Sequence, residues 1–300
     1  MNFRGLDLNL LVALEALLEE RSVSRAAARL NLSQPAMSAA LARLRSYFGD
    51  DILLPHGKRM HASAFAEGLL PQVRECLQRL ESLVATSPAF DPTQSQRTFR
   101  IVASDYITAS VLVPLVARLA GIAPKVRLEI NATTEQAARL LDEGKVDLLV
   151  TPDLYCAPGH PTQLLLEEQH VVVGWKRNPL LRRKLSEADF LAAGHVAVRI
   201  GVLRALSFAD TQLELQGRKR RVEITVESFT IVPWLLCGTQ RLALMHERLA
   251  RIMAKQFPIA CVPIPFRFPA MREMLQHHRA RIPDEGLAWL RTQIAAAARA

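Results

Sequence analysis

Residues 22–48 read SVSRAAARLNLSQPAMSAALARLRSYF, a stretch with four arginines and no acid. Ser24 is placed to cap a short helix from Arg25 to about Leu30, with Ala26, Ala27 and Leu30 turned inward. Asn31 tolerates the left-handed conformation that ends such a helix. Ser33 then caps a second helix, and Pro35 falls in its first turn, where no backbone donor is lost. Met37, Leu41, Leu44 and Phe48 recur as one apolar stripe along it. The other side carries Pro35, Ala36, Ala39, Ala42, Arg43 and Ser46, flanked by Gln34, Ser38 and Arg45. Two short helices about a tight turn, with a small, neutral-to-basic outer face, suit a helix laid in the major groove of DNA. The same pattern also suits an alanine-rich core hairpin with a solvated basic face.

On the first reading, small side chains let the helix approach base edges, and an alanine methyl meets a thymine methyl. Gln34 has the bidentate geometry for adenine, while Ser38, Arg43 and Arg45 suit phosphates. An upstream helix, Asp7 to Glu20, with leucines at 10, 11, 14, 17 and 18, would close a three-helix core.

Three hundred residues, half of them apolar, suggest about two domains with real cores. The net charge of +9 favours a polyanionic partner without choosing one. Residues 1–65 hold eight Lys/Arg against six Asp/Glu, and every acid there lies outside residues 22–48. The basic run Arg218–Arg221 reads as a solvated helix-to-strand junction. Cys76, Cys156, Cys237 and Cys261 are scattered, with no CxxC and no histidine at metal spacing. No Gly-rich phosphate loop, GxSxG or HExxH occurs, so no cofactor, metal or catalytic residue is expected. Neither a signal peptide nor a bilayer-spanning run is read, which points to a reduced cytoplasmic compartment.

From Ala64 to about Ala85 one long helix is expected. Leu69, Val73, Cys76, Leu80 and Leu83 form a heptad seam, widened by Leu70, Leu77 and Val84. That stripe serves either a dimer partner or the helix's own domain. Thr86 to Gln96, with Pro88 and Pro92, reads as a hinge-like linker. Strand-like and helical segments then alternate, at 98–104, 105–120, 126–132, 134–143 and 146–151, which argues for a covered parallel sheet. A second such unit begins near Gln169, with strands at 170–175, 195–200, 222–226 and 241–245. Crossing strands are expected near Leu164–Glu168 and Pro265–Met271. Ligands settle at the carboxyl ends of such strands, which selects Ser104, Tyr106, Thr108, Thr151 and Gly201. Asp105 is assigned to capping its helix; Phe229, Trp234 and Met245 suit an aromatic slot or core packing, with core packing preferred for all three.

Residues 6–53, LDLNLLVALEALLEERSVSRAAARLNLSQPAMSAALARLRSYFGDDIL, closely resemble the N-terminal domain of LysR-type transcriptional regulators. The tokens DLNLL, AAxxLxxSQPAxSxxxxRLR and FGDD run without a gap. RTFRIVASD at 97–105 resembles most the branch of nodulation-gene activators and salicylate and nitroaromatic regulators. The resemblance implies an all-α winged helix-turn-helix at 1–63 and a linker and dimerisation helix at 64–96. It further implies a two-lobed α/β domain, like the periplasmic binding proteins, at 97–300. Lobe I would take 97–165 and 269–300, and lobe II 166–268.

The implied partners are double-stranded promoter DNA, a second copy or three (homodimer or homotetramer), RNA polymerase and a small effector between the lobes. The expected DNA contacts are Arg25, Ser33, Gln34, Pro35, Ala36, Ser38, Ala39, Arg43 and Arg45. The wing departs from the family pattern: Leu54, Pro55 and His56 stand where an arginine is usual, leaving Lys58 and Arg59 for phosphate. By resemblance, His170 and His195 join the effector pocket, and the effector is an aromatic acid or a flavonoid-like phenol. Two other readings stay open, a thiol-redox-responsive regulator and an enzyme on the same two-lobed fold.

Overall fold

The computed structural model describes residues 7–56, 59–85 and 90–299, in two units, one up to residue 86 and one from residue 87. In the first, α1 (Leu8–Glu20) starts at Asp7, whose carboxylate accepts the Asn9 N–H at 2.9 Å. Leucines 10, 11, 14, 17 and 18 are all buried, and Leu8 at its start is exposed. Helix α2 (Val23–Arg29) is capped by Ser22, not Ser24. Arg21 ends α1 in the left-handed region at φ 47°, which leaves Ser22 extended and free to take the Arg25 N–H. Asn31 does adopt positive φ, 55°. Helix α3 (Gln34–Phe48) runs from Ser33, whose hydroxyl accepts the Ala36 N–H at 3.3 Å, to a left-handed Gly49. Met37, Leu41 and Leu44 are buried against α1 and α2.

Strands β1 (Leu53–His56) and β2 (Arg59–Ala62) pair antiparallel as a short ribbon. Helix α4 (Ala64–Ala85) follows, its first turn held by Ser63, which accepts the Ala66 N–H and donates to Asp50. Leu69, Leu70, Val73 and Leu77 pack on the core that α1 builds, so this half of the stripe belongs to the helix's own domain. Cys76 is exposed and Leu80 half-buried; the side chains of Leu83 and Val84 and residues 86–89 lie outside the described residues.

The second unit holds two sheets. Lobe I orders β4 (Arg127–Ala132), β3 (Thr98–Ala103), β5 (Leu148–Pro152), β13 (Met271–Gln276) and β6 (Thr162–Glu168). The first three are parallel, and β13 is antiparallel to both neighbours. Lobe II orders β10 (Arg221–Val226), β8 (Gly194–Ile200), β11 (Leu242–His246), β7 (His170–Trp175) and β12 (Ile259–Val262), with β9 (Ala205–Leu206) on β8. Lobe I is covered by α5 (Asp105–Ile107), a π turn (Thr108–Leu112), α6 (Val113–Ile122), α7 (Ala137–Asp142) and α12 (Glu285–Arg299). Lobe II carries α8 (Glu187–Ala192), α9 (Phe208–Leu215), α10 (Val232–Leu236) and α11 (Glu247–Met253).

The second crossing strand therefore starts at Met271, several residues later than the pattern suggested. Pro265 and Pro269 lack the N–H a ladder requires, so pairing begins only beyond them. Residues 105–122 are long and apolar enough to cross a membrane by length and composition, contrary to the reading above. Tyr106, Ile107, Val111, Leu112, Leu115 and Leu119 spend that apolarity on the core of the second unit. At the head of lobe I, Arg97 donates two parallel bonds of 2.6 Å to Asp284, which also accepts the Leu287 N–H at the start of α12.

Candidate functional site

In the first unit, Gln34, Pro35, Ala36, Ser38, Ala39, Ala42, Arg43 and Ser46 are all exposed, while the opposite stripe of α3 is buried. The exposed α3 surface begins at a capped N-terminus, where free N–H groups and the helix dipole favour phosphate. Ser33→Ala is expected to lower stability by about 1 kcal/mol, read from the thermal transition of the first unit. A transition unmoved by the change would show that the cap bond contributes nothing.

Arg25 is exposed and pairs with Glu20 at 3.3 Å, an exchangeable surface pair. Arg45 corrects the expectation. Its Nε donates to the Asp51 carbonyl at 2.7 Å and its Nη2 to the Leu53 carbonyl at 2.8 Å. Arg45 thus braces the turn into the ribbon instead of offering a free guanidinium to phosphate. Arg59 lies on β2; its side chain, and Lys58 altogether, lie outside the described residues.

In the second unit a cavity of about 230 Å³ opens between the lobes. Ser104, Tyr106 and Thr151 line it from lobe I, as the strand-end rule requires. Thr133, Glu135, Tyr155, Phe208, Phe229, His246 and Glu273 complete much of the wall. Thr133 and His246 also sit at carboxyl ends of strands, β4 and β11, so the same rule finds them once those ends are placed. Glu273 lies mid-strand on β13 and carries no such signal. Phe229 is both a wall residue and part of the core of the second unit. Trp234, assigned with it, is 65% exposed and meets Phe257 edge-on at 4.8 Å. Met245 is fully buried in the core.

Four expected effector residues stand off the wall. The Thr108 hydroxyl donates back to the Ser104 carbonyl at 3.0 Å, satisfied within its own helix turn. His195 is a core histidine of lobe II: its Nε2 meets the Phe190 carbonyl at 2.7 Å and Arg220 reaches its Nδ1 at 3.2 Å. Burial, then the Arg220 charge, lowers its pKa to about 4. Gly201, at φ +67°, forms the rim, and the Glu135 carboxylate of lobe I occupies the space a Cβ would need. His170 lies behind the wall, stacked on Phe208 at 5.6 Å and beside His246 at 4.7 Å. Burial lowers it to about 4, and burial with His170 as neighbour lowers His246 well below the usual range. Both rings are neutral at physiological pH.

The lobes are held together across this cavity by polar clasps. Asp105 does not cap α5, a role Ser104 performs. Its carboxylate crosses to lobe II and accepts from the Ser228 hydroxyl at 2.7 Å and from the Thr230 N–H at 2.8 Å. The Tyr155 hydroxyl meets Thr211 at 3.1 Å on the other side. Tyr106 stacks flat on His246 at 3.8 Å and donates its hydroxyl to Glu168. Burial and then the Glu168 charge raise the Tyr106 pKa, so it stays a neutral donor.

A solvent-facing recognition helix on one unit and a two-lobed pocket on the other define a DNA-binding regulator with a ligand-sensing domain. The helix-turn-helix of the bacterial lysR regulatory family matches residues 8–67, and the LysR substrate-binding domain matches residues 92–299. The chain belongs to the LysR family of transcriptional regulators and is not an enzyme. It is 40% identical to nodulation protein D 1 of Bradyrhizobium sp. (strain NC92) over 97% of this chain and 93% of that protein. The structure of a probable transcriptional regulator from Pseudomonas aeruginosa shares 31% identity and a TM-score of 0.63, covering 97% of each chain. CbnR in complex with its target DNA has a TM-score of 0.58 at 17% identity, over 98% of this chain and 99% of that one, and supports the fold alone.

Proposed function

We propose that this regulator activates transcription from its promoter when a small aromatic or phenolic effector occupies the cavity between the lobes. The observation that carries the reading is the cavity wall, in which Tyr106, Phe208, Phe229 and His246 present rings around a few hydroxyls. On the DNA side, Gln34, Pro35, Ala36 and Ala39 face the bases, with Ser33, Ser38, Arg43, Arg25, Arg59 and Lys58 on phosphate. The protein acts in the cytoplasm as a homodimer or homotetramer and engages RNA polymerase at the promoter. Two recognition helices about one turn of DNA apart require such a symmetric assembly, and the exposed Cys76 and half-buried Leu80 of α4 are available to pair. An effector shifts the assembly only through unequal affinity for its arrangements, and the Asp105 and Tyr155 clasps are where lobe closure would register.

A thiol switch at Cys156, Cys237 or Cys261 is disfavoured. Burial raises the pKa of Cys156 to about 11, with Asp153 and Glu273 adding to it, and also raises Cys237 and Cys261. Such thiols stay protonated and slow to react. Footprinting on the chain's own upstream DNA, with a panel of aromatic acids and flavonoids, tests the effector reading. A ring compound is expected to alter the protected length. Ala138→Trp fills a half-buried position on the wall and is expected to raise the effector concentration needed by at least about tenfold. An unchanged dose response in that variant removes the cavity from the mechanism.

A further inference from the structure

Two carboxyls sit on neighbouring crossing strands, Glu273 of β13 in the cavity wall and Glu168 of β6 outside the lining, bonded to the wall residue Tyr106. Their surroundings differ sharply. Glu168 accepts from the Tyr106 hydroxyl and the Arg248 N–H, and the Arg248 guanidinium stands 3.8 Å away. Glu273 is 1% exposed, faces the cavity, and its Oε2 has no hydrogen-bond partner among the described residues. No lysine or arginine among the described residues lines the cavity.

The groups facing Glu273 from the packed elements all oppose a negative charge there or are neutral. Glu168 comes from β6, and Asp153 and Cys156 from the turn after β5. Tyr106 of α5 and neutral His246 of β11 share the wall. Arg272 on the same strand is engaged with Asp153 at 3.9 Å. Two carboxyls in one site with opposite surroundings separate into one charged and one protonated. A second polar atom is left over nearby: the Thr133 hydroxyl is buried without a partner among the described residues and lines the same cavity.

We propose that Glu273 is the specificity determinant of the effector site: protonated at neutral pH, it donates its O–H to an uncharged oxygen acceptor on the ligand and excludes carboxylates. This rests on the cavity being the effector site. Burial, then Glu168 and Asp153, push Glu273 up to about 8, so the donor is present below that pH and lost above it. An aromatic acid would add a negative group to a wall that already holds the Glu135 carboxyl and, among the described residues, no lysine or arginine. A neutral ring ketone would meet the Glu273 proton and leave its own ring to Tyr106, Phe208 and Phe229.

The test uses the full chain and two probes that do not titrate between pH about 7 and about 9, flavone and a flavone bearing a ring carboxylate. Equilibrium dialysis is expected to show flavone bound in preference to the carboxylate. Flavone affinity should fall about tenfold across that pH window, tracking the protonated fraction of Glu273. Glu273→Gln keeps an N–H donor and is expected to bind flavone with no such fall, while Glu273→Met binds it weakly throughout. Infrared difference spectra of the wild-type chain against E273Q read the proton without any ligand, as a protonated-carboxyl band lost above pH about 8. Absence of that band at neutral pH, or equal pH dependence in wild type and E273Q, overturns the donor role. Preference for the carboxylate, or no flavone binding at all, overturns the ligand class. Flavone binding unaffected by Ala138→Trp would instead count against the cavity as effector site, with the infrared result on Glu273 still standing.

Discussion

Gln34→Ala is expected to weaken operator binding at least about thirtyfold while leaving the fold intact. Gln34 opens α3 directly after the Ser33 cap and is exposed, so its amide is held at the helix end that enters the groove. A bidentate amide–adenine pair contributes about 1–3 kcal/mol of discrimination. A symmetric dimer uses it twice, for about 2–6 kcal/mol in total. Arg43→Ala, about two and a half turns further along the exposed side of α3, removes a charge instead of a base contact. It is expected to weaken operator and scrambled duplex alike and to reduce the slope of log affinity against log salt by about 1 per helix. Fluorescence anisotropy over a salt series on both duplexes separates the two effects. Undiminished specific binding by both variants would remove α3 as the reading surface, because no other exposed side of that helix carries these groups.

The second large effect lies far from DNA. Asp284→Ala is expected to destabilise the second unit by about 3–5 kcal/mol, the cost of breaking a buried pair by removing one partner. Asp284 is 4% exposed and receives both Arg97 nitrogens, while Arg281 stands 3.7 Å away. Its loss also uncaps α12, the helix that closes lobe I. Burial alone would raise the Asp284 pKa, but the Arg97 bond, the Leu287 N–H and the two arginine charges together hold it below the usual carboxylate range. The sign follows from that depression. The contribution is complete above the unfolded value of about 3.9 and disappears as pH falls through the lower folded value. Urea unfolding followed by a probe in the second unit, at neutral and acid pH, measures both quantities. A loss under about 1 kcal/mol at neutral pH would mean that the bidentate pair gains no more than an exposed one.

Much of this architecture was legible in one dimension because its signals are local. The α3 stripe, the Ser33 cap, Pro35 in the first turn and Asn31 at positive φ are consequences of backbone and periodicity that a neighbouring domain does not alter. The alternation of strands and helices was likewise readable. Where the reading failed, a competing group decided. Both Ser22 and Ser24 can cap α2, and the left-handed Arg21 chose between them. Arg45 has the composition of a phosphate ligand, yet two carbonyls folded back from residues 51 and 53 claim it first. His195 has the chemistry of a pocket residue, but the Phe190 carbonyl and Arg220 satisfy it inside lobe II.

The order of residues alone determined that α3 has one oily and one small polar side, and that two α/β lobes follow a long helix. Those properties depend on spacing, which the chain carries with it. Only the tertiary structure decided what lines the pocket between the lobes. Strands β6 and β13 are separated by about a hundred residues, and pairing them sets a partnered Glu168 near a Glu273 whose Oε2 has no partner among the described residues. Charge on a carboxyl is a property of what surrounds it in space, and no local pattern around residue 273 records those surroundings.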